Sequence, residues 1–311
     1  MIKIAGLTKR YGATKVVDHV DLEVPRGTVT AIVGTSGSGK STLLRMINRL
    51  IEPSDGSVWI DGRLTTDEPA PLLRRRIGYV IQGNGLFPHR TVAENIATVP
   101  QLLGWSAARI AARTDELLRL FGLDPTTQAQ RLPAELSGGQ QQRVGVARAL
   151  AAGPSVLLMD VPFGALDPII RAKAQEDLRS IQRQLGTTVV LVTHDIDEAF
   201  KLADHVAVID NGRLLQHDAP ARLLTAPAHP QVTLLTGTAD RALRLLSLAT
   251  AADLVETGIS KGPTLSVHMS LRDALSALMW AGADDGVVVD AAGQPLGRVT
   301  VAAILARGAV R

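Results

Sequence analysis

The chain has 311 residues, of which 46% are hydrophobic and 20% charged, a composition typical of folded domains rather than disordered chains. Its 33 basic and 30 acidic residues leave a formal net charge of +3, too small to bind nucleic acid by charge alone. It has no Cys, which excludes disulfide frameworks, zinc–thiolate sites, iron–sulfur clusters and Cys nucleophiles. No segment resembles a secretion signal or a membrane span, so we expect a cytosolic protein of about two domains, and we expect any membrane association to come through a partner.

Strand-like and helix-like segments alternate over the first 230 residues. Residues 28–33 predict a buried strand, and a Gly-rich turn and a helix over residues 41–50 follow it. Residues 155–159 and 187–192 predict two more buried strands, and a helix over residues 171–185 lies between them. Strands separated by helices predict an α/β fold whose sheet is largely parallel and covered on both faces.

The remaining segments predict a helical insertion and a separate small domain. Residues 101–151 are helical in pattern, which indicates an insertion into the α/β body. The last fifty residues predict the order β-α-β-β-α. Ser270 begins its first helix as an N-cap, residues 287–290 and 296–300 form its later strands, and residues 301–306 form its last helix.

Residues 34–41 read GTSGSGKS and fit the phosphate-loop pattern, in which two Gly frame four residues before Lys and Ser. Glycines let backbone N–H groups turn toward phosphate oxygens, and the N-terminus of the following helix adds positive potential. Lys40 can reach the β- and γ-phosphates, and the Ser41 hydroxyl can bind Mg²⁺. A Gly-rich turn with a chance lysine is disfavoured, because the pattern follows an apolar strand and precedes a helix.

Further motifs lie on both sides of this loop. They are Tyr11 in KRYG, Gln82 in YVIQ, the segment LSGGQ at residues 136–140, the strand VLLMD that ends at Asp160, the segment ALD at residues 165–167, and His194. Ser137 predicts the N-cap of a helix whose free N–H groups would face an anion. Asp160, at the end of an apolar strand, is in the position expected of a metal-coordinating carboxylate.

These motifs, in this order across residues 11–194, resemble those of ATP-binding cassette (ABC) nucleotide-binding subunits. The resemblance implies an α/β fold of the P-loop NTPase class, an ABC cassette with a RecA-like core plus antiparallel β and α-helical subdomains, followed by a small α+β domain. It implies an ABC-type ATPase that binds ATP and Mg²⁺. The implied nucleotide-binding residues are Tyr11, Gly34, Ser36, Gly37, Gly39, Lys40, Ser41, Thr42, Gln82, Ser137, Gly138, Gly139, Gln140, Asp167 and His194. The implied metal ligands are Ser41, Gln82 and Asp160, and the implied catalytic positions are His194, Gln82, Asp160 and Val161.

The resemblance also implies partners. Two such subunits pack head to tail as a homodimer, and each ATP lies between the phosphate loop of one subunit and residues 137–140 of the other. ATP closes the dimer and hydrolysis opens it, and integral membrane permease subunits couple that motion to transport. We expect the permease to contact Gly83–His89, and core packing of Leu86 and Phe87 is the alternative interpretation of that segment.

Val161 departs from the family pattern, which has Glu after the metal-binding Asp. That Glu is the general base that polarises the attacking water, and valine can neither accept a proton nor hydrogen-bond water. Loss of a positioned base slows a reaction about 10²–10⁴-fold, so we expect a subunit that binds Mg·ATP and dimerises but hydrolyses slowly. Three explanations stay open: a natural form of low activity, an introduced or accidental substitution that traps ATP, or replacement by another carboxylate.

Residues 79–89 and 91–100 resemble the importers of quaternary-ammonium osmoprotectants such as glycine betaine, choline and carnitine. The resemblance implies the ATP-binding motor subunit of such an importer, peripheral to the cytoplasmic face of the inner membrane. A periplasmic or extracellular solute-binding protein is implied as an indirect partner, and no nucleic acid is expected.

The tail adds a second resemblance, because residues 261–311 are similar to a single cystathionine-β-synthase-type (CBS) module. We therefore expect a nucleotide-binding domain at residues 1–230, a linker at 231–260 and a regulatory or dimerisation module at 261–311. A lone module implies pairing between the tails of two subunits. Adenosine-binding modules of this type carry an acid where this chain has Ala303, which favours dimerisation without a ligand.

Other functions compete with this interpretation. One is a nucleotide-binding regulatory subunit that has lost hydrolysis through Val161, and another is an importer of a different small solute. A soluble ABC ATPase of DNA repair or translation is disfavoured, because those families carry coiled-coil insertions or duplicated cassettes.

Overall fold

The computed structural model describes residues 1–83, 85–164 and 166–309. Over these residues the strands are β1 (Ile2–Tyr11), β2 (Thr14–Val24), β3 (Val29–Val33), β4 (Asp55–Ile60), β5 (Arg63–Leu64), β6 (Ile77–Val80), β7 (Val156–Asp160), β8 (Thr188–Val192), β9 (His205–Asp210), β10 (Arg213–Asp218), β11 (Thr264–Ser266), β12 (Asp285–Val289) and β13 (Pro295–Thr300). The α-helices are α1 (Lys40–Ile47), α2 (Ala70–Arg75), α3 (Val92–Leu102), α4 (Ala107–Leu120), α5 (Pro125–Gln128), α6 (Gly138–Leu150), α7 (Pro168–Leu185), α8 (Ile196–Leu202), α9 (Pro220–Thr225), α10 (Pro230–Thr236), α11 (Arg241–Ser247), α12 (Leu271–Ala281) and α13 (Val301–Gly308). The chain divides into two compact units, Met1–His217 and Asp218–Arg311.

A six-stranded sheet organises the first unit, in the order β10-β9-β3-β8-β7-β6. Strand β3 pairs in parallel with β8 and β9, and β7 pairs in parallel with β6 and β8. Every residue of β3, β7 and β8 is buried, as expected for strands covered on both faces. The predicted parallel sheet is therefore present, and the ends of β3, β7 and β8 lie at one edge, where ligands bind in such sheets.

Two further layers complete the first unit. An antiparallel sheet in the order β2-β1-β4-β5 shares one hydrophobic core with α1 and the parallel sheet, through side chains such as Ile4, Leu43 and Val190. Helix α3 packs on α4 and α6, so the helical region includes the predicted insertion over residues 101–151 but begins earlier, at Val92. Thr91 begins α3 with a capping box, because its side chain accepts from the Glu94 N–H while Glu94 accepts from the Thr91 N–H.

The second unit has the predicted β-α-β-β-α order from β11 to α13. Its sheet has the order β11-β12-β13, with β11 parallel and β13 antiparallel to β12. The sequence predicts a linker over residues 231–260, but α10 and α11 form there, and Leu246 and Ala251 are buried in one core with Leu265 and Val288. The apolar face of α11 explains this difference, because it needs a core to cover it. The predicted domain boundaries stay a prediction.

No helix within the described ranges is both long and apolar enough to cross a membrane.

Candidate functional site

A cavity of about 780 Å³ lies at the edge of the sheet where β3, β7 and β8 end. The predicted site residues that line it are Ser36, Gly37, Gly39, Lys40, Ser41, Thr42, Gln82, Val161 and His194. The cavity therefore brings together the phosphate loop, the residue after Asp160 and the predicted catalytic histidine, although Ser41 and His194 lie 153 positions apart in the sequence. The predicted site residues outside its lining are Tyr11, Gly34, Ser137, Gly138, Gly139, Gln140, Asp160 and Asp167.

The phosphate loop needs glycine at both of its framing positions. A Cβ built at Gly34 would lie 1.9 Å from the backbone oxygen of Ile209, and one at Gly39 would lie 2.3 Å from the backbone oxygen of Val16. Gly39 also has a φ of 97°, which L side chains rarely adopt. The loop therefore lies directly against its neighbouring backbones and leads into α1, whose first N–H groups are free to bind an anion.

The ammonium group of Lys40 is held inside this loop. Lys40 is 8% exposed, and its Nζ donates to the Gly34 oxygen at 2.9 Å, to the Thr35 oxygen at 2.6 Å and to the Ser38 Oγ at 3.3 Å. Burial lowers the pKa of Lys40, and the charge of Asp160 opposes that shift. These acceptors are neutral, so a phosphate group in the cavity would supply the negative charge that this buried cation lacks.

Asp160 is joined to the loop by two side chains of α1. The Ser41 hydroxyl donates to Asp160 Oδ1 at 2.7 Å, and a guanidinium nitrogen of Arg45 donates to Oδ2 at 3.0 Å. Asp160 is fully buried, whereas the Arg45 side chain is 44% exposed. Mg²⁺ is bound in proteins by one or two carboxylates, further oxygen ligands and substrate phosphates. The adjacent hydroxyl and carboxylate oxygens, with Gln82 in the same cavity, fit that ion.

Val161 is half-buried: it packs against the hydrophobic core and also lines the cavity. Its φ is 45°, and its N–H donates to the Val192 oxygen at 3.0 Å. A left-handed backbone costs a residue with a Cβ roughly 1–2 kcal/mol, and a β-branched residue there is an outlier. Within the described part of the chain no Asp or Glu side chain lines the cavity, so replacement by another carboxylate gains no support.

The segment LSGGQ forms the N-terminus of α6. The Ser137 side chain accepts from the Gln140 N–H at 3.3 Å, and Gln140 Oε1 accepts from the Ser137 N–H at 3.0 Å, which completes a capping box. A Cβ at Gly139 would lie 2.5 Å from the Ile170 side chain of α7. Asp167 caps α7 through the N–H groups of Ile169 and Ile170, and the predicted motif residue Ala165 lies outside the described residues.

The remaining predicted contacts lie at the edge of the site or beyond it. Tyr11 ends β1, is 52% exposed, and lies 5.1 Å, ring centroid to nitrogen, from Lys9 Nζ. In the predicted permease-contact segment, residues 83–89, Gly83 lines the cavity, and the Phe87 ring is 40% exposed. Asn84 of that segment lies outside the described residues.

Sequence reasoning missed two polar residues of this site. Arg45 lies four residues after Ser41, so helical spacing could have placed it beside the same carboxylate. Gln142 of α6 also lines the cavity, and no local pattern marks it. A third buried polar group lies outside the cavity lining: burial raises the pKa of Glu198, and Glu198 Oε2 accepts from Gln175 Nε2 at 3.1 Å.

Comparisons with known proteins agree with this geometry. A family model for ABC transporters matches residues 17–164. The chain is 50% identical over 298 residues to the glycine betaine uptake system ATP-binding protein YehX of Escherichia coli, and the match covers 96% of each protein. The chain belongs to the ABC transporter family. This membership confirms the predicted P-loop cassette fold and the ABC ATPase class.

Two other members of the ABC transporter family extend the comparison. The chain is 47% identical over 306 residues to the osmoprotectant import ATP-binding protein OsmV of Salmonella typhimurium, which covers 96% of this chain and 79% of that one. The solved ATP-binding cassette MJ0796, a dimer in a post-hydrolysis state bound to ADP and Pi, matches with a TM-score of 0.63 and 34% identity. That match covers 71% of this chain and 99% of MJ0796.

Proposed function

We propose that the chain is the ATP-binding motor subunit of an importer of quaternary-ammonium osmoprotectants. The observation that carries the proposal is the cavity in which the phosphate loop, the buried Lys40 and the Ser41–Asp160 pair meet. Backbone N–H groups and an ammonium group suit the phosphates of ATP, and the paired oxygens suit the Mg²⁺ that accompanies it. We assign the nucleotide-binding and metal-binding roles of the predicted site residues on this basis.

The residues of the cavity would have separate roles toward the phosphates of ATP and toward Mg²⁺. Lys40 and the loop N–H groups hold the phosphates, and Ser41, Asp160 and Gln82 would hold Mg²⁺, which when bound neutralises charge on the phosphate oxygens. His194 lines the same cavity and can hydrogen-bond a phosphate oxygen. Val161 provides no proton acceptor, so we propose slow hydrolysis. The same observation favours a second candidate, a regulatory subunit that binds ATP without turning it over.

The partners follow from the family. We propose a head-to-tail homodimer in which residues 137–140 of one subunit complete the ATP site of the other, in agreement with their position outside the cavity of their own subunit. Permease subunits would contact residues 83–89 from the cytoplasmic face of the inner membrane, and a solute-binding protein would deliver the solute to the permease. Residues 261–311 would form a CBS-like dimerisation module, which the β-α-β-β-α order supports.

The extent of the matches supports the substrate class. The likeness to the solved cassette covers 71% of the chain, whereas the likeness to the glycine betaine and osmoprotectant proteins covers 96% and therefore includes the second unit. A tail shared with importers of one solute class favours that class over another small solute.

Reconstitution tests the proposal directly. The chain should co-purify with its permease, and proteoliposomes that contain both and the solute-binding protein should take up radiolabelled glycine betaine in the presence of Mg·ATP. Lys40→Ala should abolish the uptake, because the cavity loses its buried cation. Failure to co-purify with any permease would contradict the transport role. Uptake equal to that of the Lys40→Ala complex would contradict the motor role, and uptake of another solute alone would contradict only the substrate class.

A further inference from the structure

Gln142 has an unusual environment in α6. Its side chain is 4% exposed, and its Nε2 has no hydrogen-bond partner among the described residues. Leaving a buried amide donor unpaired is unfavourable, because the group loses its hydrogen bonds to water and gains none in return, and such groups are rare in native proteins. Among the described residues, the donor therefore has no partner of the kind that buried amides normally have.

Other glutamines of the same region show that the fold can satisfy such a group. Gln141 Nε2 donates to the Leu136 oxygen at 3.1 Å, and Gln175 Nε2 donates to Glu198 Oε2 at 3.1 Å. Gln182 Nε2 donates to two backbone oxygens, at 2.8 and 2.9 Å. Gln142 differs from all three in that it is one of the residues that line the cavity with the phosphate loop and Val161.

We propose that Gln142 binds the terminal phosphate of ATP in the cavity of its own subunit, through its Nε2–H. This inference rests on the proposed function, because it requires ATP in that cavity. An amide N–H donates to phosphate oxygens without adding charge, so it can sit buried while the cavity is empty at a lower cost than a second lysine. The contact replaces the missing partner of Nε2 when ATP binds.

The position of Gln142 gives this contact a consequence for the dimer. Helix α6 begins at the capping box of Ser137 and Gln140, which the proposed dimer places against the ATP of the other subunit. Gln142 follows within the second turn of the same helix. One rigid element therefore contacts both nucleotides, the ATP of its own subunit through Gln142 and the ATP of the other subunit through its N-terminus. Loss of the terminal phosphate from the ATP of one subunit would therefore move α6 of that subunit. The contact that the N-terminus of α6 makes with the ATP of the other subunit would change with it.

Two substitutions test the contact by calorimetric titration of the full chain with Mg·ATP and with Mg·ADP. Gln142→Leu removes the donor and keeps the volume and the burial, and it should weaken ATP binding about 10-fold or more while ADP binding changes less than about 2-fold. Gln142→Glu should weaken ATP binding further, because a carboxylate repels the phosphate. The thermal midpoint of Gln142→Leu should not fall, since the substitution removes an unpaired buried donor.

Gln141→Leu is the matched control, because it breaks a glutamine hydrogen bond one position away on the same helix without touching the cavity lining. It should lower the thermal midpoint and leave the ratio of ATP to ADP affinity unchanged. Equal losses of ATP and ADP affinity in Gln142→Leu, or a fall in its thermal midpoint like that of the control, would overturn the contact and indicate a structural role. Unchanged ATP affinity in Gln142→Leu, with binding abolished in Lys40→Ala, would overturn it and leave the proposed function intact. Absence of ATP binding by the unmodified chain would refute both.

Discussion

The substitution Val161→Glu tests the chemistry of the cavity most directly. It places a carboxylate directly after Asp160, the proposed metal ligand, at a position that lines the cavity. A positioned general base contributes about 10²–10⁴-fold, which corresponds to about 3–5 kcal/mol of activation free energy. We expect single-turnover ATP hydrolysis by Val161→Glu to exceed that of the unmodified chain by this factor, since no other Asp or Glu of the described residues lines the cavity.

The backbone at this position favours the change. Any residue with a Cβ incurs roughly 1–2 kcal/mol at a φ of 45°, and the branched Cβ of valine adds crowding that glutamate, which is unbranched at Cβ, avoids. The variant should therefore fold, although it loses the apolar contact of Val161 with the core.

Hydrolysis should be measured with enzyme in excess over ATP, beside ATP affinity for each variant. Val161→Gln is the matched control, because glutamine has the length and shape of glutamate but cannot accept a proton at neutral pH. It should hydrolyse ATP within a few-fold of the unmodified chain. Equal rates for the valine and glutamate forms, with equal ATP affinity, would refute the missing-base argument.

Three further predictions concern stability and binding. Gly39→Ala should abolish ATP binding, because its Cβ would lie 2.3 Å from the Val16 oxygen at a φ of 97°; calorimetric titration checks this. Arg45→Ala should lower the free energy of unfolding in urea by about 1–3 kcal/mol, since the buried Asp160 loses its ion pair and Arg45 itself is partly exposed. Glu198→Gln should gain stability relative to the unmodified chain as pH rises. Burial raises the folded-state pKa of Glu198, so the stability it contributes below the ordinary pKa of about 4.3 is lost as pH rises through that raised value.

Each of these predictions has an internal control. Gly153→Ala also adds a Cβ to a glycine with a positive φ, but nothing lies within 4 Å of that Cβ. It should therefore leave ATP binding unchanged. Arg119→Ala breaks an exposed ion pair with Asp115 and should cost less than about 1 kcal/mol. Glu176→Gln removes a 60% exposed carboxylate that pairs with Lys201, and it should change the free energy of unfolding by less than about 1 kcal/mol. Equal effects of a variant and its control would contradict the corresponding argument.

The sequence predicts those parts of the site that local pattern determines. The phosphate loop, the N-cap at Ser137 and the buried strand before Asp160 each follow from a few adjacent residue types. The Arg45–Asp160 ion pair joins residues 115 positions apart, and the left-handed backbone of Val161 is fixed by its bond to Val192, so neither appears in a local pattern. The sequence pattern places the core residue Leu246 in a linker, because a single short amphipathic helix gives a weak signal.

The left-handed backbone at Val161 also bears on how this cassette can change by mutation. The valine codons GTA and GTG differ from the glutamate codons GAA and GAG only at the middle base. The backbone tolerates glutamate better than valine, so the step to the glutamate form meets no folding barrier. Where the gene carries GTA or GTG at position 161, a culture that depends on the proposed osmoprotectant uptake should therefore yield fast-growing variants with this single-base change, and sequencing the gene after serial passage under high salt would reveal them.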